Sequence, residues 1–441
     1  MKLAYALPLA GIAAFSTTVL SPSAAHAETL TVATVNNNDM VIMQRLSSAF
    51  EEAHPDIDLE WVVLEENVLR QRLTTDIATN GGQFDVMTIG TYEAPIWAER
   101  EWLAPLDDWP EDYKEEDLLK PVVDGLSHDG KPYALPFYAE SSMMYYRKDL
   151  FEQAGIEMTE QPTWPEVREW AGKVKDPDKG IAGICLRGKP GWGENMALVT
   201  TLVNTHGGRW FNMDWEPEID SEAWTQAINF YVDLLNEHGP AGASSNGFNE
   251  NLALFSQGKC GMWVDATSAA GKLYNPNESK VADKLGFAPA PVAETPKGSH
   301  WLWSWALAIP ASSNAKDAAK AFITWATSQE YIAMVGEKEG WTSVPPGTRE
   351  STYANEKYQE AAPFADFVLE AIREADPTDS TLKPSPYTGV QIVGIPEFQS
   401  IGTQVGQMVA AALTGEMSVE QALSNAQRAT RRTMERAGYI K

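Results

Sequence analysis

Cysteine is nearly absent, with only Cys185 and Cys260 in 441 residues. That excludes a scaffold held by several disulfides and a thiolate-rich zinc centre. Each cysteine lies in a short apolar segment, so one structural disulfide and two buried thiols both remain open. Histidine is scarce as well. Of the 6 present, His26 lies close to the N-terminus, and His54, His128, His206, His238 and His300 show no metal-ligand spacing. There is no Gly-x-Ser-x-Gly elbow, no His-Glu-x-x-His, no Gly-x-Gly-x-x-Gly and no Cys-x-x-Cys, so the common hydrolytic, metalloprotease, dinucleotide and redox signatures are missing. No cofactor is implied. Basic residues are outnumbered 34 to 61 by acidic ones, which disfavours nucleic acid and anionic lipid as partners. Long apolar runs are confined to Leu3–Leu20.

That single run follows Lys2 and leads into Ser21-Pro22-Ser23-Ala24-Ala25-His26-Ala27. Small residues at Ala25 and Ala27 predict a secretory signal peptide over 1–27, cleaved after Ala27. Pro8, Gly11 and Pro22 argue against a membrane anchor. The expected mature chain is periplasmic, carries 33 basic and 61 acidic residues for a formal charge of −28, and has no stable membrane insertion. Its length exceeds what one hydrophobic core usually serves, so two lobes are expected.

Strand and helix signals alternate through the first third. The β-rich Thr29–Val35 ends in Asn36-Asn37-Asn38-Asp39, a set of capping residues before a helix over Met40–Ala53. A strand over Ile57–Leu64 precedes a helix from Asn67, and Phe84–Ile89 precedes another from Tyr92. This rhythm predicts a parallel sheet with helical crossovers, in which ligands sit beyond the carboxyl ends of the strands. Asn36, Asn37 and Asn38, then Glu65 and Glu66, then Tyr92 and Glu93 thereby share one rim. Thr163-Trp-Pro-Glu166 reads as a capped helix start. Trp301, Trp303 and Trp305 alternate at the strand period and share a face; Trp301 and Trp305 are read as core. The last third is mostly helical.

The segments Phe84-Asp-Val-Met-Thr-Ile, Tyr133-Ala-Leu-Pro-Phe-Tyr-Ala-Glu-Ser-Ser-Met-Met-Tyr-Tyr-Arg-Lys-Asp-Leu-Phe151, Pro162-Thr-Trp-Pro-Glu166, Phe255-Ser-Gln-Gly-Lys-Cys-Gly-Met262 and Trp305-Ala-Leu-Ala-Ile-Pro310 resemble the maltose-type (family 1) periplasmic solute-binding proteins of ABC carbohydrate importers. Within that family the chain is most similar to the sorbitol and mannitol binders. The resemblance spans essentially the whole mature sequence, and the "Tyr-Arg-Lys-Asp-Leu" stretch is its most specific part. It implies an α/β fold of two lobes, joined by three crossings near Phe137–Ser141, Trp301–Ile309 and Thr342–Pro346. The N-terminal lobe would comprise 28–138 plus 302–343 and the C-terminal lobe 139–301 plus 344–441, closing on a ligand by hinge motion. It further implies a non-enzymatic monomer that delivers its solute to inner-membrane permease subunits.

A small neutral polyol or sugar offers hydroxyls that both donate and accept, so its site needs carboxylates, amides and an Arg, with an aromatic face for C–H surface. Glu140 matches the family's ligand carboxylate beside the first crossing. Tyr92 and Glu93 match a sugar-contacting loop. Asp265 stands where the family commonly has a neutral residue, and is read as a hydroxyl acceptor. Arg187 and Trp192 lie in the glycine-rich loop Arg187–Gly193. Only one of Trp303 and Ser304 should meet ligand, since strand neighbours face opposite ways; Trp303 is chosen. Arg349 follows the third crossing and is placed in the cleft. The competing readings are a mono- or disaccharide binder, a binder of a cationic solute such as a polyamine, a ferric binder using Tyr145 and Tyr146, and a glycoside hydrolase.

Overall fold

Apolar and β-branched runs form strands at Glu28–Val35 (β1), Ile57–Leu64 (β2), Val86–Gly90 (β3), Ser127–His128 (β4), Lys131–Pro132 (β5), Leu135–Glu140 (β6), Ser142–Arg147 (β7), Ala182–Cys185 (β8), Cys260–Ala266 (β9), Leu285–Pro289 (β10) and Trp303–Ala308 (β11). The structure is a computed structural model that describes Met1 and residues 27–441. The expected signal segment falls almost wholly outside the described residues. Among the described residues no helix is long and apolar enough to cross a membrane.

Two sheets result. The first has the order β2-β1-β3-β11-β6 and the second β10-β7-β9-β8. β1 is parallel to β2 and to β3, as helical crossovers require, whereas β11 runs antiparallel to both β3 and β6. β11 enters this sheet from β10 of the other, and β6 leads straight through Ser141 into β7. The chain therefore passes between two α/β lobes at these points, leaving a cleft beside them. Cys185 and Cys260 form a disulfide in the second sheet.

Local chemistry places most boundaries. Asn37 caps the Asn38–Leu46 helix by accepting from the Met40 N–H. Thr163 and Glu166 form a reciprocal capping box at the start of Trp164–Val174. The helix expected over Met40–Ala53 is interrupted at Ser47, and in the helical last third Glu356–Ala361 and Ala365–Glu374 form separate helices with a second break between them. Pro363 accounts for the second break, because its ring excludes a continuing helix.

After the Gln329–Lys338 helix the chain stays against the first lobe beyond the expected crossing: Leu119 N–H donates to Thr348 O and Ala139 N–H to Pro346 O. It reaches the second lobe by Phe364 and Phe367, which pack on Tyr274 and Phe287. This corrects the placement of Arg349. That side chain is fully buried in the first lobe, stacked on Tyr113, with Nε donating to Thr327 O and Nη1 to Lys114 O and Asp117. Held through Nε and Nη1, with Nη2 buried and without a protein partner, this guanidinium locks the Tyr113–Asp117 loop and does not reach the cleft.

Candidate functional site

The cleft between the lobes encloses a cavity of about 70 Å³. Its floor is the cross-strand face of β6 and β11. Glu140 lies opposite Trp303 and Tyr138 opposite Trp305, and directly opposed residues project to the same side of a sheet. The period-two tryptophans do share a face, but that face is the cleft. Trp301, Trp303 and Trp305 all line it, so Trp301 and Trp305 are buried in the core as expected and face the cleft as well. Ser304 turns away to donate to Tyr138 O. Gly90 permits the arrangement, since a Cβ there would come within 2.0 Å of the Trp303 ring.

Asn37 serves two purposes. Its carbonyl caps the helix while Nδ2 donates to the Tyr138 hydroxyl at 2.8 Å, so capping and pocket use coexist. Asn36 contributes at the rim through its backbone carbonyl, which accepts from Asn249 Nδ2 of the opposite lobe at 2.8 Å. Asn38 lies outside the main cleft; it lines a smaller hollow with Thr267, Ser268 and Thr342, because the first helical turn carries it toward the hinge.

Two buried arginines organise the rest. Arg187 lines the cleft and is clasped by Asp265, Nε donating at 2.9 Å to Oδ2 and Nη2 at 2.6 Å to Oδ1, while Nη1 donates to Gly193 O at 2.8 Å. Asp265 also accepts from Trp263 Nε1 and from the Ala266 N–H. Its acceptor capacity is used up behind Arg187, so the expected hydroxyl acceptor is instead the counter-ion of a cleft residue. Arg70 is the second. It was not singled out from the sequence, since its four-residue spacing from Glu66 carries no sign of burial. Arg70 Nη1 meets Glu93 Oε1 at 2.7 Å and Nη2 meets Glu66 Oε1 at 3.0 Å. Glu93 also accepts from the Gly90 N–H; like Asp265, it holds an arginine and is absent from the lining. Tyr92 is likewise one layer back, its ring 4.7 Å from that of Trp192 and its hydroxyl donating to Ile395 O.

Of the expected residues, the structure thus brings Asn36, Asn37, Glu140, Arg187, Trp192 and Trp303 to the cleft wall. It sets Tyr92, Glu93 and Asp265 behind that wall. Tyr145 and Tyr146 are not part of it; Tyr145 donates to Ala266 O inside the second lobe.

The lobes meet across the cleft. Lys189 Nζ lies 2.6 Å from Glu65 Oε1, and Asn67 Nδ2 donates to Pro190 O. Gly193 fits between the two arginine networks: its carbonyl accepts from Arg187, and a Cβ on it would lie 2.4 Å from Glu66 Oε1. Only glycine allows this approach.

Electrostatics follow from enclosure. Burial raises the Glu140 carboxyl to about 8, with Asp265 and Glu66 adding to the rise and the Ser268 hydroxyl bond and Arg187 opposing it. Burial, then the neighbouring Glu66, lifts Glu194 to about 7. For Arg70 and Arg187 burial disfavours the charge, but their carboxylate partners outweigh it and both are held more firmly protonated than usual. The cleft is therefore lined by cations already paired and by carboxyls that lack full compensation.

Residues 35–333 match the family described as bacterial extracellular solute-binding proteins. The chain belongs to that family. It is 63% identical over 415 residues to a mannitol-binding protein of Pseudomonas aeruginosa, an alignment covering 94% of this chain and 95% of the relative. A solved ABC transporter solute-binding protein of Agrobacterium vitis, with bound D-mannitol, superposes with a TM-score of 0.93 at 59% identity, covering 94% of this chain and all of the other. A second, from Agrobacterium radiobacter in complex with ribitol, gives 0.81 at 24% identity, covering 92% and 99%, a likeness of fold. The two-lobed α/β architecture is that of these binding proteins.

Proposed function

We propose that this chain captures a sugar alcohol of the mannitol or sorbitol type in the periplasm, by closure of its two lobes, and delivers it to the inner-membrane permease of an ABC importer. On this reading a signal peptide ending at Ala27 directs export, the lobes divide close to 28–138 plus 302–363 and 139–301 plus 364–441, and the protein acts as a monomer without cofactor or catalysis. The observation that carries the reading is the charge pairing of the cleft. Arg70, Arg187 and Lys189 are each matched to a carboxylate of the protein, so an anionic ligand finds no free counter-ion, and Glu140, raised by burial to about 8, offers a cation no fixed charge at neutral pH. What remains for a ligand are groups that suit hydroxyls: Glu140, Asn37, the Tyr138 hydroxyl and the indole Nε1 of Trp301, which has no protein partner. The relatives named above for mannitol support the same class.

Thermal-shift and calorimetric titration of the mature protein against hexitols, pentitols, maltose and spermidine tests it. A hexitol at a hundredfold excess over its dissociation constant should add about 2.7 kcal/mol of stability. A response to maltose or spermidine with none to any polyol would overturn the assignment, and turnover of a nitrophenyl glycoside would overturn the binding class.

A further inference from the structure

We propose that Arg70 sets the solute class of the cleft: it fills an aromatic box that would otherwise receive a sugar ring or an organic cation, leaving a site suited to an open-chain polyol. The inference rests on the preceding reading for the identity of the ligand, but not for the box itself.

The guanidinium carbon of Arg70 lies 4.0 Å from the ring centroid of Trp192, 4.6 Å from that of Trp305 and 4.8 Å from that of Trp303. All three lie inside the ~6 Å range of a cation–π contact. Among the described residues every other cation stacked on an aromatic ring has a single ring, so this cage is distinct in kind. Glu66 and Glu93 take the N–H groups at the edge of the guanidinium, which leaves its faces for the indoles. A planar fork can do both at once, whereas a lysine ammonium cannot. Arg70 is only 5% exposed.

The box is assembled from both lobes. Trp303 and Trp305 come from β11, and Trp192 comes from the Arg187–Gly193 loop across the cleft. Closure therefore presses Trp192 onto Arg70. A pyranose needs a free aromatic face on which to lay its C–H surface, and a quaternary ammonium needs an empty cage. Here the chain's own cation occupies both features. A flexible polyol requires neither, since its hydroxyls can be met one by one by Glu140, Asn37 and Arg187.

The test is calorimetric titration of the mature protein and of two variants, Arg70→Ala and the double variant Arg70→Ala/Glu93→Gln. The double variant removes the carboxylate that Arg70→Ala leaves buried without its partner, which protects folding; circular dichroism verifies it. D-mannitol, methyl glucoside and choline are the probes. The wild type should bind mannitol alone. Both variants should lose at least tenfold in mannitol affinity and gain saturable choline binding, and millimolar guanidinium should displace the choline and restore mannitol. A folded variant set in which neither protein binds choline or methyl glucoside overturns the proposal. If the wild type binds no polyol while the variants bind choline, the box stands and the polyol assignment falls.

Discussion

Asp265 offers the sharpest test of how this cleft is built. Replacing it by Asn preserves shape and one acceptor oxygen, but leaves Arg187 with Glu194, at 3.5 Å, as its remaining carboxylate partner. Arg187 and Asp265 are 5% and 1% exposed, so water does not compensate for the lost charge. Removing one member of such a buried pair costs about 3–5 kcal/mol, which for a lobe of this size lowers the melting temperature by roughly 10 °C. The loss should appear in the ligand-free protein, by urea unfolding followed through tryptophan emission. Binding should weaken too, because Arg187 loses its orientation. If Asp265 instead contacted ligand directly, stability without ligand would barely change and affinity alone would fall by the ~1.5–3 kcal/mol of one charged hydrogen bond. A ligand-free unfolding curve superimposable on that of the wild type would refute the counter-ion role. The double variant Asp265→Asn/Arg187→Met should recover most of the stability without recovering binding.

Glu140 predicts a pH dependence of definite sign. With its carboxyl raised from 4.5 to about 8, the closed folded state holds a proton between those values that the unfolded chain has released, so stability falls as pH rises across that window. Glu140→Gln should flatten the decline in melting temperature between pH 5 and 8, and curves that run parallel in wild type and variant would exclude the effect. At the rim, Lys189→Met removes the contact to Glu65, in which the two side chains are 24% and 40% exposed. Pairs this wet contribute less than about 1 kcal/mol, so ligand release measured by stopped flow should quicken no more than about fivefold and the difference should vanish at high salt; a hundredfold change would show that the pair controls closure.

Much of the architecture was legible in sequence because it is fixed by local chemistry. Alternating strand and helix signals through Glu93 required the parallel β1, β2 and β3, and the Thr163 capping box opened its helix where the pattern placed it. What local signals do not encode is where a chain goes after it leaves a sheet. Nothing around Thr342–Pro346 distinguishes a crossing from a segment that stays home, and it is the burial of Arg349 against Tyr113 and Asp117, residues more than two hundred positions away, that keeps the chain on the first lobe.

The same limit explains the site. Rim position pointed to Asn37, the family resemblance to Glu140, a glycine-rich loop to Arg187 and Trp192, and the strand period to Trp303, and all five line the cleft. Depth is another matter. Glu93 and Asp265 lie where a ligand carboxylate would be expected, yet each spends its charge on an arginine that stands between it and the cleft. Arg70 went unnoticed because its second partner, Glu93, and its three indoles arrive from other parts of the chain. Trp301 and Trp305 passed for core because burial is what a tryptophan run predicts, and they are buried; the space beside them is a pocket only because β6 and β11 turn their common face toward the opposite lobe. A carboxylate in sequence announces that a cation or a hydroxyl will be near it, and only tertiary packing decides whether that partner is the protein's own.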